Sequence, residues 1–158
     1  MSDVRARYDP TAQLGVPAHV TLLFPFMPPE AVSASVEGSL RNWFAGYESF
    51  SVRFDSVCRW PQEAYLAPRP EAPFIALIRG LAAAFPEYPP YGGRHADIIP
   101  HLTVAQGSAA AAERGAEEMA AALAKAGPIQ SMCRSATLLA NSGGLWQVMR
   151  TFPFGHEL

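Results

Sequence analysis

The feature that most constrains this chain is a short pattern that occurs twice, His19-Val20-Thr21-Leu22 and His101-Leu102-Thr103-Val104. In an extended strand, residues two apart project from the same side, about 6.6 Å apart along the chain. Each copy therefore offers an imidazole and a hydroxyl on one face. The intervening residues, Val20 and Leu22 or Leu102 and Val104, fall on the opposite face, which is apolar and suited to a core. The polar faces must line something, because burying four polar side chains without partners is costly.

The surroundings repeat as well. Ala18 to Phe24 reads as a strand closed by Pro25, rich in β-branched and large apolar residues. Pro28-Pro29-Glu30 sets up a helix start. Val32, Val36, Leu40 and Trp43 then recur at helical spacing, which assigns Trp43 to packing, and Gly46 offers a stop. Phe50, Val52 and Phe54 alternate with Ser51, Arg53 and Asp55, as in a strand with one buried face, and a short strand over Ala64 to Ala67 follows Trp60-Pro61.

In the second half, Pro73 opens a helix whose stripe is Phe74, Leu77, Ile78, Leu81 and Phe85, and Pro86 to Gly93 is a loop. A strand spans Ile98 to Ala105, its start set at Pro100, which cannot donate to a ladder. Ser108 caps a helix that buries Ala112, Ala116, Met119 and Leu123 and stops at Gly127-Pro128. Two closing strands, Ser135 to Ala140 and Leu145 to Phe152, form a hairpin through Asn141-Ser142-Gly143-Gly144. The order strand, helix, strand thus occurs twice, with the histidines half a chain apart. The expectation is an α+β fold, bilobal and pseudo-twofold, with antiparallel sheets flanked by helices around a central cleft that both motifs face. Residues 1–158 are expected to form one two-lobed domain.

Composition narrows the function. Hydrophobic residues make up 49% and charged residues 16%, a globular balance, and the formal charge of −2 lacks the basic excess that long nucleic acids require. A small ligand or a nucleic-acid end is expected. Cys58 and Cys133 are too far apart in sequence for a zinc motif and read as buried free thiols. The charged opening and the lack of any long apolar run predict a cytoplasmic protein with no membrane contact. No coiled-coil heptads are visible, so a monomer is the default.

Two histidines near pKa 6.5 supply an acid and a base together at neutral pH. In-line displacement at phosphorus needs those groups on opposite sides of the phosphate, and threonine hydroxyls suit its equatorial oxygens. No metal is needed. A metal-dependent alternative would use His95, Asp97 and His101, but zinc sites want three or four ligands at recognisable spacing. His156, near the end of the chain, reads as solvated.

With both motifs and their flanking pattern in hand, the chain resembles the two-histidine (2H) phosphoesterase superfamily. That superfamily includes bacterial RNA 2′,3′-cyclic phosphodiesterases, also called 2′-5′ RNA ligases, and plant cyclic-nucleotide phosphodiesterases. Besides the motifs, Phe50 to Pro61, Ala64 to Leu66, Ile99 to Gln106 and Trp146 to Phe154 fall where members place strands. The resemblance implies a cofactor-free phosphodiesterase in which His19 and His101 are acid and base and Thr21 and Thr103 hold the phosphate. It gives the base to His101 and the acid to His19, with the reverse left open. Phe24-Pro25-Phe26 stands where ligase-type members carry a glycine.

The expected substrate is a 2′,3′-cyclic phosphate, or a related ADP-ribose cyclic phosphate, on a small nucleotide or RNA end. Arg94 is a candidate phosphate ligand, and Phe24, Tyr65, Tyr91 and Trp146 are candidates for stacking on a base. The rival readings are a nucleotide-binding module of the same fold without turnover, and a 2′-5′ RNA ligase.

Overall fold

The structure is a computed structural model, which describes residues 1–94 and 97–155. The chain opens with helices α1 (Ser2–Tyr8) and α2 (Pro10–Gln13), then runs irregularly past His19 to a 3-10 turn at Pro29–Ala31. Helix α3 (Ala34–Ala45), strands β1 (Phe50–Phe54), β2 (Val57–Trp60) and β3 (Glu63–Leu66), and helix α4 (Ala72–Ala84) follow. After a 3-10 turn at Pro90–Gly93 come strand β4 (Leu102–Gln106), helix α5 (Ala109–Ala126) and strands β5 (Ile129–Cys133), β6 (Ser135–Ser142) and β7 (Leu145–Pro153). The class is α+β. The strands form three antiparallel sheets, β1–β5, β2–β3–β4 and the hairpin β6–β7.

Most elements follow from local chemistry. Ser108 caps α5 by accepting the Ala111 N–H (3.1 Å), and Gly127 at φ 81° stops it. Pro73 sits in the first turn of α4, whose Phe74, Leu77, Ile78 and Leu81 are buried. Trp43 packs beside the cluster of Leu40, Phe44, Leu77, Leu81 and Phe152. Helix α5 lies so close to β4 that a Cβ on Gly115 would overlap the Cβ of Ala105. No described helix is long and apolar enough to cross a membrane.

The structure adds elements that the sequence left unassigned and corrects others. The polar opening is helical because Arg5 on α1 pairs with Asp9, which caps α2 by accepting the Thr11 N–H (3.1 Å). Helix α3 starts after Ser33, whose hydroxyl accepts the Val36 N–H, rather than at Pro28-Pro29, which make the separate 3-10 turn. Strand β5, with no strong alternation, exists because it pairs with β1 from Phe54↔Ile129 to Phe50↔Cys133. The ladder of β4 starts at Leu102, so His101 stands just before it. Cys58 and Cys133 are free but only half-buried.

The largest correction concerns Ala18 to Phe24, which is not a strand. Pro17 and Pro25 lack N–H groups at its two ends, and the chain bends from Leu22 to Pro25. Side chains hold it instead. Val20 packs on the core cluster of Val4, Val52, Phe54, Leu66, Phe74, Leu102, Val104 and Met119, and Leu22 touches both that cluster and the one beside Trp43. The alternation expected of the motif therefore survives without a ladder. Leu102 and Val104, at the corresponding places on β4, are fully in the core.

Candidate active site

One cavity of about 1070 Å³ is lined by all four motif residues, His19, Thr21, His101 and Thr103, together with Phe24, Glu63, Tyr91 and Trp146. That volume admits a nucleotide or a short oligonucleotide end. The two histidines are held in the same way. His19 Nδ1 lies 2.8 Å from the carbonyl oxygen of Pro17, and His101 Nδ1 lies 2.7 Å from that of Ile99, each two residues earlier. A carbonyl only accepts, so each neutral ring carries its hydrogen on Nδ1 and has a lone pair on Nε2. The same local hydrogen bond thus sets one tautomer for both rings.

Beyond that the two copies differ. Thr21 Oγ1 lies 3.0 Å from Nε2 of its own histidine, and Tyr91 also hydrogen-bonds Thr21. Tyr91 is fixed there by donating its backbone N–H to the Phe24 carbonyl, in a left-handed conformation (φ 52°) that is uncommon for a non-glycine residue. Thr103 instead donates to Glu63 Oε1 (2.6 Å), and the same oxygen is 3.8 Å from His101 Nε2. Trp60 and Tyr65 meet the His101 ring edge-on, with centroids 4.9 and 5.7 Å away. His101 is confined by this wall, whereas His19 is accessible from the cavity.

Although His19 is exposed, the surrounding protein lowers its pKa below the usual 6.5 by desolvation. The hydrogen bond to Pro17 and the negative charge of Asp9 oppose this, while Arg5 and His101 reinforce it. Burial raises the Tyr91 phenol, which therefore stays protonated.

A second buried network ties the two motif segments together. Arg5 donates to Asp9 from Nε (3.0 Å) and to the Val16 carbonyl from Nη1 (3.3 Å), three residues before His19. Asp9 Oδ1 accepts from Gln106 Nε2 (2.7 Å), three residues after Thr103 on β4. Burial alone would raise the Asp9 pKa, but the hydrogen bonds from Gln106, Thr11 and Arg5 outweigh it and hold Asp9 below its usual value.

Of the residues proposed for stacking, Phe24 and Trp146 line the cavity and touch each other, with ring centroids 6.2 Å apart. Tyr91 lines it too, bound to Thr21. Tyr65 is buried behind His101, against Trp60, and does not line the cavity. Arg94 is exposed at the end of the 3-10 turn, away from the lining. His95 lies outside the described residues, and among those described no cluster of three His, Cys, Asp or Glu side chains could hold a metal ion.

Sequence reasoning missed Glu63, Trp60 and the Arg5–Asp9–Gln106 network. Glu63 is paired with Gln106, and its side chain reaches back to Thr103 only because β3 and β4 are neighbours, in a pairing bulged between Ala64 and Tyr65. No local pattern signals that.

With two matched histidine–threonine pairs opening on one cavity, the family comparison becomes interpretable. Residues 1–145 match the sequence model of the 2′-5′ RNA ligase superfamily. The chain belongs to that superfamily. It is the superfamily of the two-histidine phosphoesterases, whose members are generally phosphodiesterases or ligases acting on RNA or nucleotides. The match contains both motifs, Glu63 and the Arg5–Asp9 pair, and stops just before Trp146. No curated protein matches the chain in sequence.

Proposed function

We propose that the protein is a cyclic phosphodiesterase that opens a 2′,3′-cyclic phosphate, or a related ADP-ribose cyclic phosphate, on a small nucleotide or RNA end. The observation that carries this reading is the matched Nδ1-to-carbonyl bond of His19 and His101, which puts the lone pair of each neutral ring on Nε2 in one cavity, with Thr21 bonded to that of His19 until substrate and water enter.

In this reading neutral His19 takes a proton from water through Nε2, and the water oxygen attacks phosphorus. The bond from phosphorus to one ribose oxygen breaks, and His101 gives its Nε2 proton to that oxygen. The product is a nucleoside or RNA-end phosphomonoester, and solvent resets the two rings. The depressed pKa of His19 favours the neutral form that a base requires, and it supports the reverse of the assignment implied by the family resemblance. Thr21 and Thr103 offer hydroxyls to the phosphate oxygens, while Phe24 and Trp146 offer faces to a base. The two motif-bearing halves are read as duplicated lobes of one monomeric domain. The paired histidines supply acid and base without a metal.

The experiment is hydrolysis of 2′,3′-cyclic nucleotides, ADP-ribose cyclic phosphate and 2′-5′ dinucleotides in excess chelator, by wild type, His19→Ala and His101→Ala. Chelator-resistant turnover that falls by about 10²- to 10⁴-fold in each variant, with folding intact, supports the reading. Undiminished turnover in either variant refutes it. Tight nucleotide binding with no turnover of any substrate would favour the non-catalytic binding module.

A further inference from the structure

Glu63 brings a carboxylate into a site whose other features suit a phosphate. Its Oε1 accepts the Thr103 hydroxyl at 2.6 Å and stands 3.8 Å from His101 Nε2. It lines the same cavity as His19, Thr21 and Tyr91, and its charge adds to the burial that raises the Tyr91 phenol. Two arginines lie on the cavity lining, the buried Arg5, already committed to Asp9 and the Val16 carbonyl, and the exposed Arg134; among the described residues neither forms an ion pair with Glu63.

A hydroxyl has one hydrogen to donate, so a phosphate that binds Thr103 must compete with Glu63 for it. Exchanging one anionic acceptor for another is close to neutral. The charges themselves are not, because a phosphate oxygen bonded to Thr103 would sit within about 5 Å of the carboxylate. At that distance each unit of ligand charge is opposed by an interaction that weakens binding roughly threefold in a solvent-accessible cavity.

We infer that Glu63 sets the charge of phosphate that the site accepts, admitting the monoanion of a phosphodiester and disfavouring the dianion of a phosphomonoester. The inference rests on the phosphoesterase reading and adds a specificity to it. A cyclic phosphodiester carries one negative charge. The ring-opened monoester carries close to two above its second pKa near 6. The same carboxylate that tolerates the substrate would then expel the product.

The test is calorimetric binding at pH 8 of adenosine 2′-monophosphate and of its methyl phosphodiester, which present one nucleoside with two phosphate charges. Glu63→Gln keeps an acceptor for Thr103 and removes the charge; Glu63→Asp keeps the charge. The expected result for Glu63→Gln is about threefold tighter diester binding and about tenfold tighter monoester binding, with Glu63→Asp retaining the wild-type ratio. Equal changes for the two ligands, no change, or the same shift in ratio for Asp as for Gln would overturn the inference while leaving the phosphoesterase reading in place. If neither ligand binds any of the three proteins the inference also falls, and the hydrolysis panel then decides the phosphoesterase reading separately.

Discussion

Replacing Asp9 by leucine removes one half of a buried ion pair and strands the other half. Asp9 is 1% exposed and Arg5 is 5% exposed. The carboxylate accepts from Arg5, Thr11 and Gln106. The substitution leaves a buried guanidinium without its counter-charge and an amide of Gln106 without its main acceptor, a loss of about 3–5 kcal/mol in comparable pairs. For a domain with about 5–15 kcal/mol in total, that is a large share, and it lowers Tm by about 10 °C.

The assay is urea unfolding of wild type, Asp9→Leu, Arg5→Met and the double variant. The double variant recovers at least half of the loss, because an apolar pair has no stranded charge. Wild-type stability should also depend on acid. Asp9 has a depressed folded pKa, so its contribution is complete above the unfolded value of 3.8 and is lost as pH falls through the lower folded value. That acid dependence weakens in Asp9→Leu. A single-variant loss below about 1 kcal/mol, or a double variant no better than the single ones, would refute the reasoning.

Two further outcomes follow from the same structure. With His19 as base and its pKa below 6.5, turnover persists as pH falls through 6.5 and declines only through the lower value of the folded protein; a pH–rate profile whose acid limb lies above 6.5 contradicts that role. Gly115→Val drives a side chain into Ala105 and towards Tyr8, separates α5 from β4 and destabilises the fold by about 1–3 kcal/mol in urea unfolding.

What local chemistry controls was legible along the chain. Periodicity located α4 and α5 and the β6–β7 hairpin, and Ser108 and Gly127 marked the ends of α5. The repeated His-x-Thr pattern picked out four residues that line one cavity, and its alternation placed Val20, Leu22, Leu102 and Val104 against the core. That alternation was readable because it depends on which side chains are apolar, and Val20 and Leu22 pack on the core although the first motif belongs to no sheet. Tertiary structure decided the rest. Whether Ala18 to Phe24 becomes a strand depends on a ladder partner, and β5 exists only because β1 is beside it. Glu63 reaches Thr103 through cross-strand pairing between residues 40 apart, and Asp9 reaches Gln106 across 97. Such contacts are set by how the sheets and helices pack, so His19 and His101 differ in surroundings that their nearly identical motifs do not reveal.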